Sequence, residues 1–513
     1  MIVVKNRRVA CAVTVASQLR MSFKMAAFAA ILAGATWACA QNSTESAQDD
    51  SHKHQASTPQ GAEMKGMQHD VKPLPPPSTP TLGALQANPQ QKLIRLDELE
   101  QLALKNNPTL AQAAAEISAS KGRRSQSGLW PNPTVGYTGE EIRGGSFNGG
   151  QQGFFVEQDV ILGSKLALNQ KVLAQEVRQA ELESEEQELR VKNAVRLLYY
   201  QALAAQETVA MRKELSRIAS ESAKYDRQLL NVGQQNETEV LNSEVEAEQA
   251  DLAVIAAEHS RRRAMASLAS VVSSPAIESS MLAGSLEQDL PALDEEQTLR
   301  TLLQESPGVR IAQAGVQRAE AALLRARREA IPDLRFRGGL EQNREIQEST
   351  GRPVGFQGFA EVGLQLKLFN RNQGGVEAAQ SDLERARKEV KRIELVLRER
   401  AASFVDSYST AQRMADRYRT RILPLAQRSY ELIYKRYGLM QASYPQVLGS
   451  EHALYKLETD YISSLNQLWF NAIALKGFLL TDGLEAPTSP SDVDRRVREI
   501  NLPSARTGAM SPE

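Results

Sequence analysis

The chain has 513 residues, of which 24% are charged and 5% aromatic, and its formal net charge is −1. That balance leaves no electrostatic footprint for nucleic acid, so a nucleic-acid partner is not expected. Both cysteines, Cys11 and Cys39, precede Ala40, so a chain trimmed there has no disulfide, no cysteine zinc site and no thiol nucleophile.

Residues 1–40 read as a targeting segment. Lys24 opens a basic start, Met25 to Trp37 is an apolar core, and Ala38-Cys39-Ala40 fits a small-x-small cleavage site. Met1 and Met21 both remain open as the start. Cleavage after Ala40 competes with lipid modification at Cys39 as a membrane anchor. Beyond Ala40 no run of 18 apolar residues occurs, so no helical membrane span is expected. A β-barrel is left open, because its alternating strands score weakly on hydropathy.

Residues 41–92 read as a disordered tail rich in Ser, Gln, Pro and His, with LPPPSTP at 74–80. His52, His54, Met64, Met67 and His69 lie here, and imidazole with thioether suits copper or silver. Their spacing fixes no geometry, and a composition-biased linker explains them equally.

From residue 93 the chain is written twice, over 93–290 and 291–482. Pro108 and Pro307 end an apolar-periodic stretch in each copy, and Pro133 and Pro332 follow 25 positions on. Two alternating segments come next, then a long helical run broken at Gly233 and at Gly438, then Val240-Leu241 and Val447-Leu448. A unit this long is a duplicated half and not a solenoid repeat. Ser164 to Val232 contains neither Gly nor Pro; as one helix it spans roughly 100 Å. Val191, Val195, Leu198, Ala202, Ala205 and Val209 alternate spacings of 3 and 4 in the first copy, and Val376, Ala379, Leu383, Ala386, Val390, Ile393 and Leu397 do so in the second. These are narrow coiled-coil seams.

The strands separate this chain from a plain coiled coil. In 358–368, Gly358, Ala360, Val362, Leu364, Leu366 and Leu368 share one face, and Phe359, Glu361, Gly363, Gln365 and Lys367 the other. Upstream, Leu334, Phe336 and Leu340 oppose Arg335, Arg337 and Glu341. In the first copy Val156, Val160 and Leu162 oppose Glu157 and Asp159, preceded by Val135 and Tyr137. Strands apolar on one side and polar on the other match a membrane barrel wall with a wet lumen. The segments 144–153 and 347–355 read as polar outer loops, and Trp130 as an interfacial aromatic. Four strands are too few to close a barrel, since at least about 8 are needed; three chains supply twelve. Residues 483–513 read as a second disordered tail.

No catalytic set is present: there is no HExxH, no P-loop, and no Ser or Cys elbow. Carboxylates are abundant and read as lying on exposed helical faces, and His259 and His452 as structural or exposed. The chain is read as no enzyme and as needing no cofactor.

The strings LWPNPTVGYTGEE (129–141), VEQDVILGSK (156–165), NVGQQNETEVLNSE (231–244) and RYGLMQASYPQVLGSE (436–451) resemble the TolC-type outer membrane factor family over about residues 93–482. The first two strings resemble its heavy-metal subgroup, the cobalt–zinc–cadmium or copper–silver pumps. The resemblance implies a mainly α fold with a small membrane β-barrel part: a homotrimeric 12-stranded barrel in the outer membrane lipid, continued by a long periplasmic α-helical barrel. It also implies a periplasmic adaptor (membrane fusion) protein and an inner-membrane pump of the resistance–nodulation–division type as partners. The adaptor-docking tips carry over to Val232, Gly233 and Gln234 and to Tyr437, Gly438 and Leu439. A glycine takes the φ > 0 backbone that a tight reversal needs. The aspartate gate of some relatives is not reproduced, since Gln446 and Gly449 stand there; Glu239, Glu244 and Glu451 are the candidates for a carboxylate ring. The expected function is export of heavy-metal cations. A duct for organic compounds or secreted protein, and a periplasmic coiled-coil structural protein, are the alternatives.

Overall fold

The computed structural model describes residues 93–142, 150–347, 349 and 351–487. All fall in the second of two units, Thr79–Glu513. Each copy of the repeat begins with two helices parted at proline. In the first copy these are α1 (Leu96–Asn106) and α2 (Pro108–Ser127); in the second, after a short strand pair, α5 (Glu295–Glu305) and α6 (Pro307–Arg328). The prolines end one helix by starting the next. Pro108 sits at the first helical position, where its missing N–H costs nothing, and Asn107 caps α2 by accepting from Thr109 N at 3.0 Å. Pro133 and Pro332 stand just ahead of the strands. These are β2 (Thr134–Glu140) and β3 (Gln151–Val160) in the first copy, β5 (Leu334–Ile346) and β6 (Pro353–Leu364) in the second.

Long helices follow. The first copy has α3 (Lys165–Asn231) and α4 (Glu237–Val272). The second has α7 (Gln373–Arg417), a π turn at Tyr418–Ile422, α8 (Leu423–Gly438) and α9 (Tyr444–Lys476). The π turn has a cause in sequence. Pro424 cannot donate to the carbonyl four residues back, and a wider turn relieves the clash. The seam of α3 is buried at Val191, Val195, Ala202 and Val209. The seam of α7 buries Ala379 and packs against α6, with the remaining positions half-buried.

The strands form one antiparallel sheet in the order β2-β3-β5-β6, so the two copies meet at β3–β5, with Val156 opposite Gly338 and Phe154 opposite Leu340. The faces fall as the alternation predicts, while the second-copy boundaries move. The strand expected at 358–368 runs from Pro353 to Leu364, and a register shift between Asn343 and Ile346 carries the pairing up to Pro353. Leu366 and Leu368 lie outside it. Leu364 pairs with Leu334, the first residue of β5, and the position two residues earlier is Pro332, which has no N–H to give. Leu162 likewise falls beyond β3.

A parallel pair not anticipated from sequence, β1 (Leu93–Ile94) with β4 (Met281–Leu282), closes the linker between the copies onto the start of the first. Aromatic side chains fasten that linker to the helices. Trp469 Nε1 donates to Leu286 O (2.8 Å), Tyr408 Oη to Pro291 O (2.8 Å) and Tyr461 Oη to Glu287 (2.8 Å). The main core lies here, where α3, α4, α7 and α9 converge around Leu99, Leu203, Leu268 and Leu465. Packing also continues past residue 482, where a tail was expected. Gly483 O accepts from Asn107 and Glu485 O from Gln187 (3.1 Å), and Gly483 is pressed against Ala194 and Val271.

Not every carboxylate sits on an exposed face. Glu183, Glu207 and Glu458 are buried, each with one oxygen lacking a hydrogen-bond partner. Burial, with Glu186 and Glu116 nearby, pushes Glu183 up to about 8. Burial opposed by a backbone hydrogen bond from Leu286 pushes Glu207 up to about 7, and burial alone does the same for Glu458. The folded chain therefore keeps protons that the unfolded chain releases above its ordinary value of 4.5. Stability from these groups is full below that value and is lost as pH rises toward 7 to 8. The melting temperature in detergent is expected to fall between pH 5 and 8, and Glu207→Gln with Glu458→Gln to flatten that slope. A slope unchanged in the double variant would refute the assignment.

Candidate functional site

Two regions of the chain carry polar and apolar groups with no use in packing: the hairpin tips and the sheet. At the first tip α3 ends in a Schellman turn, with Gln234 N on Leu229 O (2.9 Å) and Gly233 in the left-handed region at φ +74. Asn236 then caps α4 through Glu239 N (2.9 Å). The second tip repeats the bonding, Gln441 N to Arg436 O (2.8 Å), and Ser443 with Gln446 forms the capping box of α9.

The left-handed residue of the second tip is not Gly438, which ends α8, but Met440 at φ +55. Met440 lies 71 residues after Phe369, as Gly233 does after Leu162, and one offset links Asn236 to Ser443, Val240 to Val447 and Glu244 to Glu451. Gly438 is thus not the counterpart of Gly233. Gly233→Ala is expected to cost about 1 kcal/mol through its left-handed backbone. Gly438→Ala, with open space around its Cβ, should be neutral or gain up to about 1 kcal/mol in helix propensity. Thermal melts of the two variants moving in the same direction would contradict this placement. Val232 and Leu439 are each about two-thirds exposed and Met440 is 90% exposed, so both tips present bare apolar side chains.

Behind the tips the gate candidates are paired. Glu244 meets Arg227, and Glu451 meets Arg217 Nη2 at 2.8 Å, while Glu239 is exposed at the start of α4. Arg217 also binds Glu214 (2.8 Å) and Glu221 (3.0 Å), so one guanidinium on α3 gathers three carboxylates, one of them from the second copy. Tyr444 Oη adds a bond from α9 to Glu221 (3.2 Å), and Tyr444 packs edge-on against Tyr225 at 5.0 Å. Burial raises the Glu451 carboxyl and Arg217 opposes the shift; burial and Glu221 push the Tyr444 phenol up to about 12. Sequence reading missed Arg217 and Tyr444 because no local pattern marks them. It missed Met440 although counting back from the shared Val-Leu pair finds it.

One face of the sheet is apolar and open. Tyr137, Phe154, Leu340 and Phe356 lie on it and are more than half exposed, as are Val135, Val156 and Val362. The other face carries Glu157, Asp159, Arg335, Arg337 and Glu361. Trp130 is exposed ahead of β2. Cys39, His52, His54, Met64, Met67 and His69 lie outside the described residues, and among the described residues no cluster of three or more His, Cys, Asp or Glu side chains is arranged to hold a metal. His259 sits beside Arg262. No described helix is long and apolar enough to cross a membrane.

Residues 99–273 match the outer membrane efflux protein family. The chain is similar to the cobalt-zinc-cadmium resistance protein CzcC of Cupriavidus metallidurans, 22% identical over 75% of this chain and 90% of that protein. Its fold is similar to that of CusC, described as forming a transmembrane channel (17% identity, 78% of this chain and 96% of CusC, TM-score 0.58). It is also similar to that of the outer membrane protein VceC of Vibrio cholerae (17% identity, 76% and 97%, TM-score 0.59).

Proposed function

We propose that three copies of this chain close a 12-stranded barrel in the outer membrane and a helical barrel below it, forming the exit duct of a tripartite pump that exports heavy-metal cations. The observation that carries the assembly is the exposed apolar face on each of two helices, α4 and α8. Within the chain α4 packs chiefly on α3, and α8 chiefly on α9. Leu241, Val245, Leu252 and Ile255 stay more than half exposed along α4, and Leu425 and Leu432 along α8. Both sets keep heptad spacing, so α4 of one copy and α8 of the next have matching seams. The outermost strands, β2 and β6, are likewise free to pair between copies.

Lipid around the barrel would cover the apolar sheet face. The tips around Val232, Gly233, Gln234, Tyr437, Gly438, Leu439 and Met440 would dock a periplasmic adaptor bound to an inner-membrane pump of the resistance–nodulation–division type. The gate would lie just behind them, at Arg217, Glu451 and the neighbouring carboxylates. Heavy-metal cations as cargo rest on the likeness to CzcC and on the subgroup strings at 129–141 and 156–165; His52, His54, Met64, Met67 and His69 would add soft ligands of the kind copper or silver takes.

A deletion strain grown across copper, silver, zinc, cadmium, cobalt, nickel and a panel of dyes and detergents tests the reading. Hypersensitivity confined to metals, restored by the intact gene, is the expected result. Hypersensitivity confined to organic compounds would overturn the metal assignment.

A further inference from the structure

The polar face of the sheet holds an arrangement that neither docking nor gating uses. Phe155 of β3 lies opposite Gly136 and Gly339, and Gly339 lies opposite Phe359 of β6. Each ring covers a glycine: a Cβ on Gly136 would stand 2.5 Å from the Phe155 ring, and one on Gly339 would stand 2.7 Å from the Phe359 ring. The rings therefore lie flat along the strands. The guanidinium of Arg337 rests over Phe155 at 4.3 Å and beside Phe359 at 5.9 Å. Its Nε is buried and has no hydrogen-bond partner. The neighbouring Arg335 instead pairs with Asp159 (2.9 Å) and Glu157 (3.3 Å). Arg337 is thus a cation held by aromatic faces, and its two register neighbours are carboxylates, Glu157 and Glu361.

Along this face five carboxylates (Glu140, Glu157, Asp159, Glu341 and Glu361) stand against Arg335 and Arg337, a formal surplus of three negative charges. In a wall closed by three chains the row Glu157–Arg337–Glu361 recurs three times around the lumen.

The geometry points to this row as an ion filter of the barrel, in which Glu157 and Glu361 favour cations and Arg337, immobilised between Phe155 and Phe359, sets the limit of that preference. This inference rests on reading the sheet as a channel wall. Charged rings lining a pore fix the sign of the ions it passes, and a low-dielectric wall focuses their field. A lysine or arginine free to swing would be screened by the nearby acids. One held over two rings keeps its charge at a fixed height in the lumen.

The test is the reversal potential of the full-length protein in planar bilayers under a potassium chloride gradient. Heat-resistant trimer bands report assembly of each variant. Glu157→Gln with Glu361→Gln is expected to lower the potassium-to-chloride permeability ratio by roughly threefold or more, as removal of a charged ring should. Arg337→Gln is expected to raise the ratio, and Arg337→Lys, whose ammonium the same two rings can hold, to keep it near the unmodified value. A conducting protein whose ratio is unmoved by the double carboxylate variant would overturn the filter and leave the channel reading standing. An unmodified protein that assembles but never conducts would overturn the channel reading and the filter with it.

Discussion

Asp333→Ala is expected to be the most damaging single change at the junction of sheet and helices. Lys165, the first residue of α3, is 2% exposed, and its Nζ lies 2.9 Å from both oxygens of Asp333, which also accepts from Leu162 N. Glu329 stands farther off, at 4.0 Å, and is itself engaged by Lys367 at 2.7 Å and by Arg325. Removing Asp333 leaves a buried ammonium with only that distant partner. Breaking a buried pair from one side costs about 3–5 kcal/mol. The converse change, Lys165→Met, leaves Asp333 one-third exposed and open to water, so it should cost far less. Melting temperatures of the detergent-solubilised protein separate the two. Equal losses from both variants would show that the pair matters through packing and not through the stranded charge. The cluster joins the first copy to the second, so its loss should release the sheet from the helices.

The second large effect is expected at Arg217. Among the described residues its guanidinium is the positive group paired with Glu451, and it also holds Glu214 and Glu221. Exposed ion pairs contribute little one at a time. Here one cation separates three carboxylates, and Glu451 is 14% exposed, so Arg217→Ala replaces three attractions with mutual repulsion in a half-buried place. The tie between α3 and α9 should part, and the periplasmic end should open. Conductance in planar bilayers is expected to rise several-fold. Glu451→Gln, which keeps a hydrogen-bonding side chain for Arg217, should give a smaller rise. Unchanged conductance in Arg217→Ala would remove this cluster from the gate.

The sequence made the sheet legible because its two faces differ in polarity at every second residue. From Val135 through Val362 the assignment to faces holds. The ends of β6 were harder to read, since they depend on partners: Pro353 is recruited by a register shift near Asn343, and Leu366 is refused because Pro332 lies across from it. The tips show the same division. Gly233 is legible as a turn because glycine tolerates left-handed backbone, whereas Met440 adopts it because the shared hydrogen bonding of the repeat imposes it. Arg217 with Glu451 and Lys165 with Asp333 are 234 and 168 residues apart, and no local pattern announces a pairing at that distance. The buried carboxylates Glu183, Glu207 and Glu458 escaped for a related reason: on a helix with seams on several sides, charge no longer identifies the outward face.

The open edges of the sheet also bear on how the protein is made. A single copy released into water would carry bare hydrogen-bonding groups along β2 and β6 and a face with Phe154, Leu340 and Phe356 uncovered. Such a surface pairs readily with any extended strand it meets. If the protein assembles as proposed, the lone protomer would be a hazardous intermediate whose lifetime before insertion has to be kept short. Under the proposed assembly, maturation would either outpace aggregation or proceed under the escort of a holdase that shields those edges until neighbouring copies and lipid cover them.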